Sequence, residues 1–266
     1  MADFKVTHYK IRTGNSGNAP DTPFSAVFLS DMHNTSYGEG NSRLLQEIRS
    51  QNPEVIFVAG DMLTATEEPQ MNAALSLMDE LTRTYPVYYA NGNHEHRMRE
   101  FPEKYGDSYE KYADSIRSFG VHLLENTSER IRLHRMDMTV WGLELSQEYF
   151  GRGSRCELLT MQIERELGKP QDGSFHLLLA HHPGYFRTYA DWGANLTLSG
   201  HYHGGIIRLP FLGGLVSPQL RLFPEFTRGL YGEIGRQMIV SSGLGSHTVN
   251  VRINNPPEMV VIDFIP

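Results

Sequence analysis

Eight side chains able to bind metal or move protons stand at the ends of five short apolar runs. Asp31 and His33 close "AVFLSDMH" (26–33), Asp61 closes "EVIFVAGD" (54–61), and Asn93 and His94 close "PVYYANGNH" (86–94). His181 lies in "HLLLAHHP" (176–183), and His201 and His203 in "ANLTLSGHYH" (194–203). The donors are carboxylate and amide oxygens and imidazole nitrogens, with no sulfur. Such a set suits Mn, Fe, Zn, Co or Ni and argues against a structural thiolate zinc site. So many donors exceed what one ion takes. Seven plus water would serve two divalent ions, provided one carboxylate bridges them. Taken singly, each residue has an ordinary reading: an Asp at a strand end is usually a helix cap. A lone His is more often a satisfied, partly buried side chain, and "GNHE" more often a turn.

The five runs are short, apolar and rich in β-branched and aromatic residues, so they read as strands. Between the first three lie helical patterns. Asn41 or Ser42 could cap "SRLLQEIRSQN", with Leu44, Leu45 and Ile48 on its apolar face. "PQMNAALSLMDELTRT" (69–84) places Leu75, Met78 and Leu81 on one side. Strands alternating with helices suggest βαβ units, and functional residues in such sheets gather outside the carboxyl ends of the strands. Alternation along an extended segment would point Asp31 and His33, or His201 and His203, the same way. Glycines before Asp61, Asn93 and His201, and after His203, allow tight turns and close backbone approach. The later runs "MDMTVWGLEL", "RQMIVSSGLG" and "PEMVVIDFIP" look like strands without long helices between them. The expectation is an α/β fold of two packed sheets with helices outside, in one domain over 1–266.

Composition limits the choice of partner. The 266 residues carry a formal net charge of −7, and no Lys/Arg run forms a broad face for polyanions. Nucleic acid is therefore not an expected partner. One cysteine, Cys156, excludes an internal disulfide and a thiolate cluster. "MADFKVTHYKIRTGNSG" has no signal-like apolar core, and no run is long enough to span a bilayer. No transmembrane segment and a cytoplasmic location are expected. Oligomeric state is left open.

"DMH", "GD", "GNHE", "AHHP" and "GHYHGG", in that order over roughly 24–205, resemble the motifs of the calcineurin-like metallophosphoesterases. The flanks "THYKI" and "RINNPPEMVVIDF" are similar to the bacterial YkuE/YaeI-like phosphodiesterase subgroup. The resemblance implies a four-layer αββα sandwich of two mixed β-sheets. It also implies roles: Asp31, His33 and His203 for a first metal, Asp61 bridging, and Asn93, His181 and His201 for a second. His94 resembles the family histidine that contacts the phosphate and assists the leaving oxygen. The reaction it implies is hydrolysis of a phosphodiester or pyrophosphate by hydroxide bridging the two metals. Alternatives are a phosphomonoesterase on the same site and a non-catalytic protein-binding scaffold, although scaffolds usually lose ligands and this chain retains all seven.

Other residues have weaker readings. His182 divides evenly between substrate contact and packing. Glu95 reads as solvated or as support behind the ligands. His96 and Arg97 read as a solvated loop before a phosphate contact, and Asn34 is a weak phosphate donor. His8, His122, His134, His176 and His247 have no assigned role, and Cys156 reads as inert. The apolar segment 206–231 is a packed loop, or else a wall beside the metals for a lipid-like or nucleotide phosphate ester. "SSGLGSH" (241–247) faces substrate or simply turns the chain.

Overall fold

Strands form where the apolar runs lie, and the helices between them are short. The computed structural model describes all residues except 1–3, 14–17, 152, 153, 155, 172, 206, 207, 210–212, 215–224, 247–251 and 253. The first half runs β1 (Lys5–Arg12), β2 (Phe24–Leu29), α1 (Ser42–Ser50), β3 (Val55–Ala59), α2 (Asn72–Thr82) and β4 (Val87–Ala90). Three helices follow, α3 (Asn93–Glu100), α4 (Pro102–Tyr105) and α5 (Ser108–Ser118), then β5 (His122–Leu123). The second half continues with β6 (Thr127–Leu133), β7 (Met136–Leu143), α6 (Thr160–Leu167), β8 (Phe175–Ala180), α7 (Phe186–Trp192) and β9 (Leu196–Ser199). It ends with the short pair β10 (Arg208–Leu209) and β11 (Gly213–Gly214), then β12 (Gly229–Glu233), β13 (Arg236–Val240) and β14 (Glu258–Ile265).

Two six-stranded sheets result, ordered β1-β14-β2-β3-β4-β5 and β12-β13-β9-β8-β7-β6. In the first, β2 to β5 are parallel, while β14 pairs antiparallel with β2 and carries β1 at the edge. In the second, β7, β8, β9 and β13 are parallel between the antiparallel edges β6 and β12. Alternation explains the layering, since successive side chains leave opposite faces. Val27 and Leu29 of β2 pack with Leu44, Ile48, Leu77, Leu81 and Ile116 of the helices. Ala26 and Phe28 instead join Leu177, Leu179, Leu196 and Leu198 of the other sheet. Leu178 and Ala180 complete the pattern against Ile163, Tyr189 and Trp192. The layers are therefore helix, sheet, sheet, helix. Central strands covered on both faces need apolar residues at every position, which is why the runs are continuous.

Two local expectations are corrected. Asn41 precedes α1 without a capping bond, because its amide is used elsewhere: Oδ1 accepts from Tyr37 N at 3.1 Å and Nδ2 donates to Ala73 O at 2.8 Å. The buried face of α2 is Ala74, Leu77, Met78 and Leu81, whereas Leu75 is only partly covered. Among the described residues, no helix is long and apolar enough to cross a membrane.

Candidate metal centre

All eight residues singled out above sit just past the carboxyl ends of β2, β3, β4, β8 and β9, so both sheets supply the site. Its backbone is unusual. Asp31, His33, Asp61, His201 and His203 all have positive φ, between 45° and 69°. Non-glycine residues reach this region at a cost, and it persists where surrounding structure over-determines it. The "DMH" and "GHYH" turns are thus left-handed rather than extended, which corrects the expectation drawn from strand alternation. Two glycines admit the carboxylates. A Cβ on Gly200 would lie 2.1 Å from Asp31 Oδ2, and one on Gly92 would lie 2.2 Å from Asp61 Oδ1.

The donor atoms converge. Nε2 of His203 lies 3.3 Å from Asp31 Oδ1 and 3.2 Å from His33 Nε2. His33 Nε2 is 3.8 Å from Asp61 Oδ2, and His181 Nε2 is 3.0 Å from the same oxygen and 3.8 Å from Asp31 Oδ1. Three overlapping groups have all donor atoms within 4.8 Å: Asp31–His33–His203, His33–Asp61–His94 and Asp61–His181–His201. Asp61 and His33 each join two of them. Asn93 is buried, and its Oδ1 has no hydrogen-bond partner.

Hydrogen bonds behind the rings sort the histidines. Nδ1 of His33 faces Leu63 O at 3.2 Å, that of His181 faces Ala59 O at 2.6 Å, and that of His203 faces Gly245 O at 3.2 Å. A carbonyl can only accept, so these Nδ1 atoms carry hydrogen, and each ring, when neutral, turns an Nε2 lone pair inward. His94 is reversed: its Nδ1 accepts from Ala65 N at 2.9 Å, leaving the proton on Nε2. The lone pairs of His33 and His203, apposed at 3.2 Å, repel unless a cation lies between them. The oxygen and imidazole donors, the apposed lone pairs and the orphaned Asn93 oxygen fit a divalent metal centre.

Charge is unevenly spread. Burial works to lower the His181 pKa, but the Asp61 and Asp31 carboxylates outweigh it and push it up to about 10. Burial holds His33 and His201 well below the usual imidazole range. Burial, aided by Arg252, takes His203 to about 3. Asp31 is raised by burial, and the neighbouring Asp61 charge adds to this. Without metal, one imidazolium offsets two buried acids.

Supporting bonds hold the candidate ligands. Asp31 accepts from Ser30 Oγ at 2.7 Å and His201 N at 2.9 Å, and Asp61 accepts from His94 N at 2.9 Å. Glu95 is fully buried, not solvated. It accepts from the backbone of Asp61 (2.9 Å), Gly92 (3.0 Å) and Leu63 (3.0 Å), and from Tyr89 Oη (3.1 Å). Its position in "GNHE" was visible, but its three backbone donors are set by tertiary structure. Gln147 was not singled out at all. Its Nε2 donates to Asn93 O at 2.9 Å, and its Oε1 accepts from Arg97 Nε at 3.0 Å.

The remaining readings divide. His182 accepts from Gly184 N at 3.0 Å and packs its ring against Phe150, Tyr185, His201 and Tyr202, outside the three donor groups. His96 lies 3.6 Å from Glu100. His8, His122, His134 and His176 bond to Asp263, Glu129, Thr22 and Gln171, away from the centre. Most of 206–231, together with His247, lies outside the described residues. Ser241 to Ser246 turn behind Asp31, with Leu244 N donating to Ser30 O and Gly245 N to Asp31 O.

The profile of the calcineurin-like phosphoesterases matches residues 24–205, more than half of the chain. The chain belongs to the calcineurin-like phosphoesterase family. It is thus a phosphoric ester hydrolase of the metallophosphoesterase type, with Asp and His side chains placed to bind metal. It is 26% identical to the uncharacterized metallophosphoesterase YkuE of Bacillus subtilis (strain 168), over 90% of this chain and 78% of that protein. The uncharacterized metallophosphoesterase YkoQ of the same organism is 24% identical, over 88% and 80%. The phosphodiesterase YaeI of Escherichia coli (strain K12) is 23% identical, over 91% and 83%.

Proposed function

We propose that this phosphoesterase works with two divalent ions and prefers phosphodiester or pyrophosphate bonds in a small, lipid-like or nucleotide substrate. Asp31, His33 and His203 would hold one ion and Asn93, His181 and His201 the other, with Asp61 shared. The observation that carries this reading is the sorting of the imidazoles. His33, His181 and His203 direct Nε2 inward with Nδ1 on a carbonyl, whereas His94, in the same cluster, takes its Nδ1 bond from an N–H. Of the two residues common to two donor groups, Asp61 and His33, only the carboxylate has oxygens for both ions, which supports the sharing. When bound, such ions supply Lewis-acid charge to phosphoryl oxygens and activate water near neutral pH.

The chain's own residues do the rest. His94 presents Nε2–H to the phosphoryl or leaving oxygen, and Ala65 N keeps that proton in place. The backbone bond from His94 N to Asp61 ties this donor to the shared carboxylate. Glu95 holds the turns carrying Asp61 and Gly92 together. The diester preference is supported by the likeness to YaeI, which is named a phosphodiesterase.

The test is hydrolysis of bis(p-nitrophenyl) phosphate against p-nitrophenyl phosphate, with Mn, Fe, Zn, Co and Ni supplied in turn and bound metal counted. Faster diester cleavage with two bound ions is expected. Faster monoester cleavage would make the chain a phosphomonoesterase. Failure to cleave either with Mn loaded would favour a scaffold.

A further inference from the structure

The segment leading into β14, "RINNPPE", carries Arg252, Asn255 and Glu258, spaced three residues apart, and none belongs to a donor group. Pro256 and Pro257 fix φ near −65° between the last two. All three reach the turn behind Asp31 and His203. Asn255, which is buried, donates from Nδ2 to the carbonyls of His203 and, at 2.9 Å, Gly205. Arg252 donates from Nη1 to Ser242 O at 2.8 Å, from Nε to Ser246 Oγ at 3.2 Å, and from Nη2 to Gly245 O. Gly245 O is the same carbonyl that His203 Nδ1 faces, and Arg252 Nη2 lies 3.4 Å from that Nδ1. Glu258 accepts from Ser242 N at 3.0 Å and pairs with Arg228 at 2.9 Å.

These bonds enclose one ligand. The His203 carbonyl is held by Asn255, and the carbonyl that orients its ring is held by Arg252. The Gly245 amide in turn donates to Asp31 O at 2.6 Å. The Nδ1 atoms of His33 and His181 rest instead on Leu63 and Ala59. We propose that Arg252 and Asn255 are positioning residues that fix His203 against Asp31. They set the metal affinity of the Asp31–His33–His203 group separately from that of Asp61–His181–His201. The inference rests on reading those groups as metal ligands. Partners of metal-binding histidines typically change affinity by about 10–100-fold when removed.

The experiment titrates Mn into the metal-stripped full chain for wild type, Arg252→Ala, Asn255→Ala, Arg252→Lys and His203→Ala, with Tm recorded for each. Wild type is expected to bind two ions. Arg252→Ala and Asn255→Ala should each weaken one ion by about 10–100-fold and leave the other unchanged. Saturating Mn should recover their kcat but not that of His203→Ala. Arg252→Lys should fall between, because an ammonium lacks the planar fork. If Arg252→Ala fails to fold, Asn255→Ala decides alone. A lowered Tm with both Mn affinities at wild-type values would reduce the segment to fold support and overturn the proposal. His203→Ala binding Mn as wild type does would instead overturn the ligand reading beneath it.

Discussion

At the scale of single residues, hydrogen bonds to the second ring nitrogen decide what each imidazole does. His94 and His33 are both buried at the same centre, their ring centroids 5.1 Å apart. The Ala65 amide leaves His94 a proton on Nε2, whereas the Leu63 carbonyl leaves His33 a lone pair there. His94→Ala should therefore lower kcat by about 10²–10⁴-fold with both ions still bound. Parallel kinetics and metal analysis check this, and loss of metal in step with activity would move His94 among the ligands. Glu95 acts differently, through the backbone. In Glu95→Gln, part of the side chain becomes an N–H₂ facing donors, and an unmatched buried donor costs about 1–3 kcal/mol. Tm should fall by about 3–10 °C, with reduced metal retention. An unchanged Tm and full metal content would show that the Asp61 turn stands without its clamp.

At the scale of elements, the site is built where strands stop. β2, β3 and β9 end in left-handed turns that bring Asp31, Asp61 and His201 back over the sheet ends, whereas His181 follows β8 directly. Gly200→Ala tests this geometry, since its Cβ would lie 2.1 Å from Asp31 Oδ2. Overpacking of this kind costs about 1–3 kcal/mol, and here the displaced atom belongs to a proposed ligand. Metal retention should fall more sharply than Tm, as metal analysis and calorimetry would show. Full metal content in the folded variant would mean that Asp31 can shift without consequence. The strands and their terminal residues were legible in the sequence, because doubly covered strands require unbroken apolar runs and the donors interrupt them abruptly. The left-handed turns at Asp31 and His203 were not, because nothing in residue type distinguishes a strained turn from an extended end. Nor was the role of Arg252 and Asn255, whose main partners are backbone carbonyls 7–10 and 50–52 residues away in the chain. "RINNPPE" could be recognised as a pattern, but contacts made through carbonyls leave no mark on the partner's sequence.

At the scale of the whole molecule, the centre joins two sheets. Asp31, His33, Asp61 and Asn93 come from the first, and His181, His201 and His203 from the second, so a bound ion links layers that otherwise meet through apolar packing. A ligand bound only by the folded state stabilises it by about 2.7 kcal/mol at 100 times its Kd, so chelation should lower Tm. The pH dependence carries more information. In the metal-free chain, the folded-state pKa of His181 is about 10, against an ordinary value of 6.5. Between those values the folded chain binds more protons than the unfolded chain, so stability falls as pH rises. The contribution is complete below about 6.5 and is lost as pH rises through about 10. A metal at His181 must displace that proton, so uptake should release it, and affinity should increase with pH over the same window. The Tm difference between Mn-loaded and chelated protein should therefore widen from pH 6.5 to pH 10. His181→Gln should lack that part of the metal-free slope. Scanning calorimetry across pH, with titration calorimetry in buffers of different ionisation enthalpy, measures both effects. A metal-free Tm that rises over this window, or uptake that releases no proton, would mean that His181 is already neutral and that its carboxylate neighbours are balanced by another group.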